Sequence, residues 1–203
     1  MLQRPAPRLV LASASASRRD LLRAAGLEFQ ILSAPIDEAG VKTTARSEGQ
    51  SAEQAALRLA ELKARHVAAQ EPDALVIGAD QILVCGDVWF DKPTSVAAAR
   101  IQLLTLRGQS HELVTAVLCA RGNESLWHYV DRPRLTMRRF SDACLDAYLE
   151  TEGDIVMSTV GAYRLEKLGI HLFDRIEGEH TAILGLPVLA LLRFLREQGV
   201  LVD

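Results

Sequence analysis

The stretch "LASASASRRDLL", Leu11 to Leu22, decides how the rest of the chain is read. An apolar run, "RLVLAS" from Arg8 to Ser13, suits a buried strand, and "SRRDLLRAAG" after it has helical spacing that ends on Gly26 as a C-terminal cap. Between them lie small residues and three hydroxyls, so the segment reads as strand, serine-rich turn and helix. In that geometry the free N–H groups at a helix start point at an anion, and Ser13, Ser15 and Ser17 add hydroxyl donors. Arg18 and Arg19 would then bring charge-assisted, bidentate bonds to phosphate oxygens. The plainer alternative is that serine and alanine only pack closely while the arginines are solvated. Against it stands the helix dipole, which disfavours cations at an N-terminus unless an anion compensates them.

Outward from this stretch, strands and helices alternate. "LEFQILSAP" (Leu27 to Pro35) reads as a second strand, and the polar stretch from Asp37 to Ser51 as a mobile loop. "SAEQAALRLAELKARHVAAQ" follows as a long amphipathic helix, capped by Ser51, with Leu57, Leu62 and Val67 on a repeating face. "ALVIGADQILVCGDVWF" reads as a strand interrupted at Gly78-Ala79-Asp80 and leading into a hairpin at Gly86-Asp87. "SVAAARIQLLTL" reads as a second amphipathic helix. "SHELVTAVLCARGNESLWHYVDRPRLTMRRF" reads as two or three antiparallel strands turning at Gly122-Asn123. "SDACLDAYLET", capped by Ser141, and "PVLALLRFLREQG", with Pro187 at its first turn, close the chain as helices. The expected class is α/β with a mixed sheet flanked by helices.

The chain has 203 residues, 49% of them hydrophobic, enough for a proper core in one domain or two closely joined lobes. A net charge of -3 leaves no global basic field to hold a polyanion, so nucleic acid is not the expected partner. The first residues, broken by serines, do not read as a signal peptide, and no segment has the length of a membrane span. Cys85, Cys119 and Cys144 are odd in number and without C-x-x-C spacing, which argues for reducing cytoplasm over a disulfide framework.

Asp80 follows an apolar strand, where an acid at a strand end can hold a divalent cation or take a proton from water; a turn-forming aspartate is the competing reading. Lys92, fixed by Pro93, could neutralise a polyphosphate beside it, and Asp37 and Glu38 offer further carboxylates for Mg²⁺ together with substrate phosphates. "VGAYRLEKLG" and "DRIEGEHTAILGLP" are glycine-punctuated segments suited to shaping a pocket, and Glu166 there can accept bonds from a base or simply be solvated. No H-E-x-x-H, G-x-S-x-G or G-x-x-x-x-G-K-[ST] pattern occurs, so zinc peptidase, triad hydrolase and P-loop NTPase lose support. His66 and His128 read as surface residues and His111 as structural.

The order of these segments resembles the Maf family of nucleotide pyrophosphatases over nearly the whole chain. The resemblance rests on "LASASASRRDLL", with Ala16 where the family pattern has proline, and on Asp37-Glu38. It continues through Leu59-Ala60 with Lys63-Ala64, "GAD" at Gly78 to Asp80, and "KP" at Lys92-Pro93. Gly108, His111 and Thr115, "GAY" at Gly161 to Tyr163, and "RIEG" followed by "GLP" complete it. It implies an ITPase-like α/β domain spanning residues 1–203, two lobes around a nucleotide cleft, a homodimer, and hydrolysis of a nucleoside triphosphate between its α and β phosphates. A divalent cation, Mg²⁺ or Mn²⁺, would be the cofactor. Ser13, Ser15 and Arg18 would cradle the triphosphate, and Asp80 would take the proton of the attacking water. Glu38 would hold metal with Asp80, and Lys63 and Lys92 would meet phosphate. Family members cleaving thymidine and uridine triphosphates carry arginine, threonine and glutamine at three positions where those preferring 7-methyl-GTP carry tyrosine, glutamine and glutamate. This chain has Ser17, Gln81 and Glu166, so two of the three follow the 7-methyl-GTP pattern and Ser17 follows neither. Further departures are Ser158-Thr159 before "VGAY", Lys167 in place of glycine, and no asparagine before "GLP". The rival readings are a pyrophosphatase of thymidine and uridine triphosphates and a non-catalytic, nucleotide-binding regulator of cell division and septum formation.

Overall fold

A computed structural model describes residues 2–202. Parallel and antiparallel strands alternate with helices, which confirms a mixed α/β fold. The chain forms two compact units. The first takes residues up to Asp80, Thr115–Asp131 and those from His180 on; the second takes Gln81–Val114 and Arg132–Glu179.

In the first unit, β1 (Leu9–Leu11) pairs in parallel with β2 (Gln30–Ile31) on one side and with the start of β3 (Leu75–Cys85) on the other. Parallel neighbours need crossovers. α1 (Ala16–Ala24) provides the first, and α2 (Glu38–Ser47) with α3 (Ala52–Ala68) the second. β5 (Ser110–Arg121) turns at Gly122-Asn123 into antiparallel β6 (Glu124–Asp131), as the sequence indicated. Leu9, Leu11, Leu22, Leu75, Ile77 and Val117 form the core with the apolar face of α7 (Val188–Glu197), Leu191, Phe194 and Leu195. Trp127 of β6 stacks on Phe194 with ring centroids 4.8 Å apart.

Four local expectations are corrected. The stretch from Asp37 to Ser51 is mostly helix: Asp37 caps α2 by accepting the Gly40 N–H at 3.0 Å, Glu38 suits the dipole of its first turn, and Lys42 and Ala45 are buried. Gly40, Thr43 and Thr44 are weak helix formers, so only the burial reveals it. β3 runs unbroken through Gly78. On α3 the buried stripe is Ala56, Leu59, Ala60, Lys63, Ala64 and Val67, with Leu57 and Leu62 at its half-buried margins. The second strand, β2, is shorter than "LEFQILSAP" suggested.

In the second unit, the end of β3 turns at Gly86-Asp87 and pairs with β4 (Val88–Phe90). α4 (Val96–Leu106) and α5 (Asp142–Glu152) start on the serine caps Ser95 and Ser141. The beginning of β5 pairs with β7 (Arg134–Met137), which pairs with β8 (Phe173–Glu177). The "VGAYRLEKLG" segment is built of 3₁₀ turns, Val160–Ala162 and Leu168–Leu172 among them, and "DRIEG" lies largely within β8. Gly161 sits at φ +77°, and a Cβ there would stand 2.5 Å from Leu83 and 2.7 Å from the Tyr163 ring, so glycine is required on both counts. No helix among the described residues is long and apolar enough to cross a membrane.

His111 is structural, as its sequence position suggested. It is 2% exposed, its Nε2 shares a 2.7 Å hydrogen bond with the Tyr163 hydroxyl, and its ring lies against Phe173. Burial pushes its pKa from 6.5 down to about 4. The unfolded chain therefore takes up this proton near pH 6.5 and the folded chain only near 4, so acid favours unfolding. Stability worth about 3 kcal/mol should be lost as pH falls from above 6.5 to below 4. Urea denaturation of wild type and His111→Gln across that range should show the steeper loss in wild type.

Candidate active site

The serine-rich turn is organised around Arg18. β1 hands over to the turn through the Ala12 N–H, which donates to Ile77 at 2.8 Å. Ser15 caps α1 by accepting the Arg18 N–H. Ser13 Oγ accepts from the Ser15 N–H at 3.3 Å and from Arg18 Nη1 at 3.2 Å. With both lone pairs engaged, what Ser13 has left to offer is its O–H. Arg18 Nε donates to the Gly185 carbonyl at 2.8 Å, so the guanidinium is fixed from two sides and is 9% exposed. Burial lowers its pKa, while Asp80 and Glu38 act in the opposite direction. The N–H groups of Ala16 and Ser17, at the start of α1, have no acceptor among the described residues.

The arginine pair is split. Arg19 turns to Asp20 at the surface with a 3.1 Å contact, and only Arg18 joins the buried cluster. Ser17 is half-buried one residue away and stays outside this hydrogen-bond network. The acidic pair is split in the same way, Asp37 serving as a helix cap while Glu38 faces Lys63.

A close approach of α3 to β3 supplies the other half of the cluster. A Cβ on Gly78 would lie 2.2 Å from the Ala60 carbonyl oxygen and 2.8 Å from Ala64 Cβ, so the glycine lets the helix backbone lie directly on the strand. That contact delivers Lys63 from the buried face of α3 to Asp80 on β3. Lys63 Nζ donates to Asp80 Oδ1 at 2.7 Å and pairs with Glu38 Oε1 at 2.6 Å. The Asp80 side chain is 6% exposed, and its Oδ2 is buried without a hydrogen-bond partner among the described residues. Such an oxygen is costly unless something fills its valence. Burial would raise the pKa of Glu38, but Lys63, Lys42 and Arg18 together hold it below the usual carboxylate value.

Arg18 and Lys63 thus face the two carboxylates Glu38 and Asp80, and Lys42 adds its positive field at Glu38. No group of three or more His, Cys, Asp or Glu side chains suited to a metal ion occurs among the described residues. Glu38 and Asp80 nevertheless fit a hard cation that draws its remaining ligands from substrate and water, because Asp80 Oδ2 is an unfilled oxygen and Glu38 is half exposed.

Of the residues expected from sequence, Ser13, Ser15, Arg18, Glu38, Lys63 and Asp80 belong to the first unit and form this cluster. Gln81, half-buried in β3, Lys92, exposed after β4, and Glu166, exposed between two 3₁₀ turns, belong to the second. Sequence reading missed Lys42, because it lay in a presumed loop, and the carbonyl of Gly185, because a backbone acceptor leaves no side-chain signal beyond the glycine itself.

Residues 8–198 match the family described as Maf-like protein. A nucleoside triphosphate pyrophosphatase of Granulibacter bethesdensis is 50% identical over 194 residues, covering 96% of this chain and 98% of that protein. The enzyme of the same name from Rhodospirillum rubrum is 48% identical, over 97% of this chain and 98% of its own length. That of Paramagnetospirillum magneticum is 49% identical, over 95% and 100%.

Gly78→Ala should destabilise the protein by about 1–3 kcal/mol, since its Cβ must push α3 off β3. Urea denaturation measures the loss, and an unchanged midpoint would show that α3 does not rest on Gly78.

Proposed function

We infer the activity from one premise: the chain belongs to the Maf-like protein family. It is a nucleoside triphosphate pyrophosphatase, hydrolysing the α–β phosphoanhydride to a nucleoside monophosphate and pyrophosphate. The observation that carries this reading is the Arg18–Lys63–Asp80–Glu38 cluster, in which one buried oxygen of Asp80 has no donor among the described residues. A site that only bound nucleotide would gain nothing from a desolvated carboxylate beside the phosphates, which it repels.

The phosphates are held by the Ser13 O–H, the free N–H groups of Ala16 and Ser17, and the N–H groups of Arg18 not bonded to Ser13 or Gly185. Lys63, already poised between two carboxylates, adds positive charge toward the same oxygens, and the family resemblance assigns Lys92 to phosphate as well. Glu38, beside Asp80, would hold Mg²⁺ or Mn²⁺ together with phosphate oxygens, and the cation would supply charge neutralisation at the phosphates. Asp80 accepts the proton of that water at Oδ2 while its Oδ1 stays bonded to Lys63. As the water oxygen bonds to the α phosphorus, the bridging oxygen to the β phosphorus leaves with pyrophosphate.

The substrate proposed is 7-methyl-GTP. Glutamate at 166 supplies acceptors for guanine, whose N1–H and exocyclic amine are both donors, and Gln81 follows the same family pattern. By the same resemblance we propose a single functional domain, a homodimer and a cytoplasmic setting, the last in keeping with three free cysteines.

Pyrophosphate release measured with Mg²⁺ or Mn²⁺ against normal and modified nucleoside triphosphates tests the reading. Asp80→Asn should lower kcat about 10²–10⁴-fold with nucleotide binding largely kept; unchanged turnover would remove Asp80 from the chemistry. Glu166→Gln should shift preference from 7-methyl-GTP toward pyrimidine triphosphates, and an unchanged order of substrates would refute the base assignment.

A further inference from the structure

Of Gly108, His111 and Thr115, which the sequence singled out together, His111 is accounted for by packing, whereas Thr115 is not. Its side chain is fully buried in β5, within a run from Leu113 to Ala120 whose other members are all apolar. Valine would serve that packing equally well, so the hydroxyl needs a reason. Thr115 Oγ1 donates to the Ala182 carbonyl at 3.0 Å. The same carbonyl accepts the Gly185 N–H at 3.0 Å, closing the turn that follows α6 (His180–Ile183). Gly185 holds φ at +109°, which only glycine adopts readily, and its own carbonyl takes Arg18 Nε. An unbroken series of hydrogen bonds thus runs from the strand through the turn to the guanidinium.

We propose that Thr115 is a positioning residue for Arg18: its hydroxyl ties the Ala182–Gly185 turn to β5 and thereby fixes the direction of the guanidinium that meets phosphate. The inference rests on the phosphate-binding reading of Arg18 given above. Arg18 is fixed at Nε by the turn and at Nη1 by Ser13, so a shift of the turn rotates the remaining N–H groups away from their target. Small displacements of such a clamp have large consequences for binding. Because the phosphates carry their charge before and during reaction, the loss falls on KM more than on kcat.

The test is steady-state pyrophosphate release by wild type, Thr115→Val, Thr115→Ser, Arg18→Lys, and the Thr115→Val, Arg18→Lys double variant, with thermal denaturation of each. Thr115→Val should raise KM about tenfold with kcat within about twofold of wild type, and Thr115→Ser should restore KM to within about twofold. In the Arg18→Lys background Thr115→Val should raise KM no further, because its path to substrate has been removed. Unchanged KM in Thr115→Val, or fully additive effects in the double variant, would overturn the proposal. If the valine variant fails to fold, Thr115→Ala is read by the same criteria. An Arg18→Lys variant with wild-type KM would instead overturn the phosphate reading of Arg18, and with it the relay.

Discussion

The ammonium group of Lys63 is almost shut off from water and lies between a buried carboxylate, Asp80, and a half-exposed one, Glu38. None of these charges is stable in such a place alone, since an unpaired buried charge costs several kcal/mol. The pairing therefore dictates geometry. α3 must lie close enough to β3 for a lysine to reach across, which restricts the contact to Gly78, Ala60 and Ala64. α2 must form where Glu38 opens its first turn, so that the second carboxylate arrives from the other side. The alanine-rich stripe on α3 and the glycine in β3 follow from one ion pair.

Arg18 completes the arrangement from the opposite direction. A fully built hydrogen-bond frame, with Ser13 on one nitrogen and the Gly185 carbonyl on another, holds a guanidinium against the helix dipole at the start of α1. The carboxylates of Asp80 and Glu38 offset part of that cost. An arriving polyphosphate offsets more, and it meets side chains and backbone N–H groups already oriented, so little ordering remains for binding to require. In the second unit His111, Tyr163 and Phe173 pack against one another as an aromatic group.

Much of this was legible in the residues. Alternating apolar runs, the serine caps at 51 and 141 and the glycine turns at 86 and 122 mark the helices and hairpins, because caps and positive φ are local requirements. α2 was not legible. Its glycine and threonines argue for a loop, and the burial of Lys42 and Ala45, which outweighs them, depends on what packs against that segment. Gly78 misled for a related reason: glycine in a strand signals either a break or a close approach, and only the position of α3 distinguishes them.

By itself the sequence determined the order of most elements, α2 excepted, the strand-turn-helix at Leu11 to Leu22, and the residue types from which a phosphate site is made, since those depend on neighbours along the chain. The tertiary structure alone decided the partners: that Arg18 and not Arg19 is buried, that Glu38 and not Asp37 faces Lys63, and that the Gly185 carbonyl holds Arg18. Adjacent residues of like charge are equivalent as a string of letters. They become different only when a helix face turns one toward the core and the other toward water.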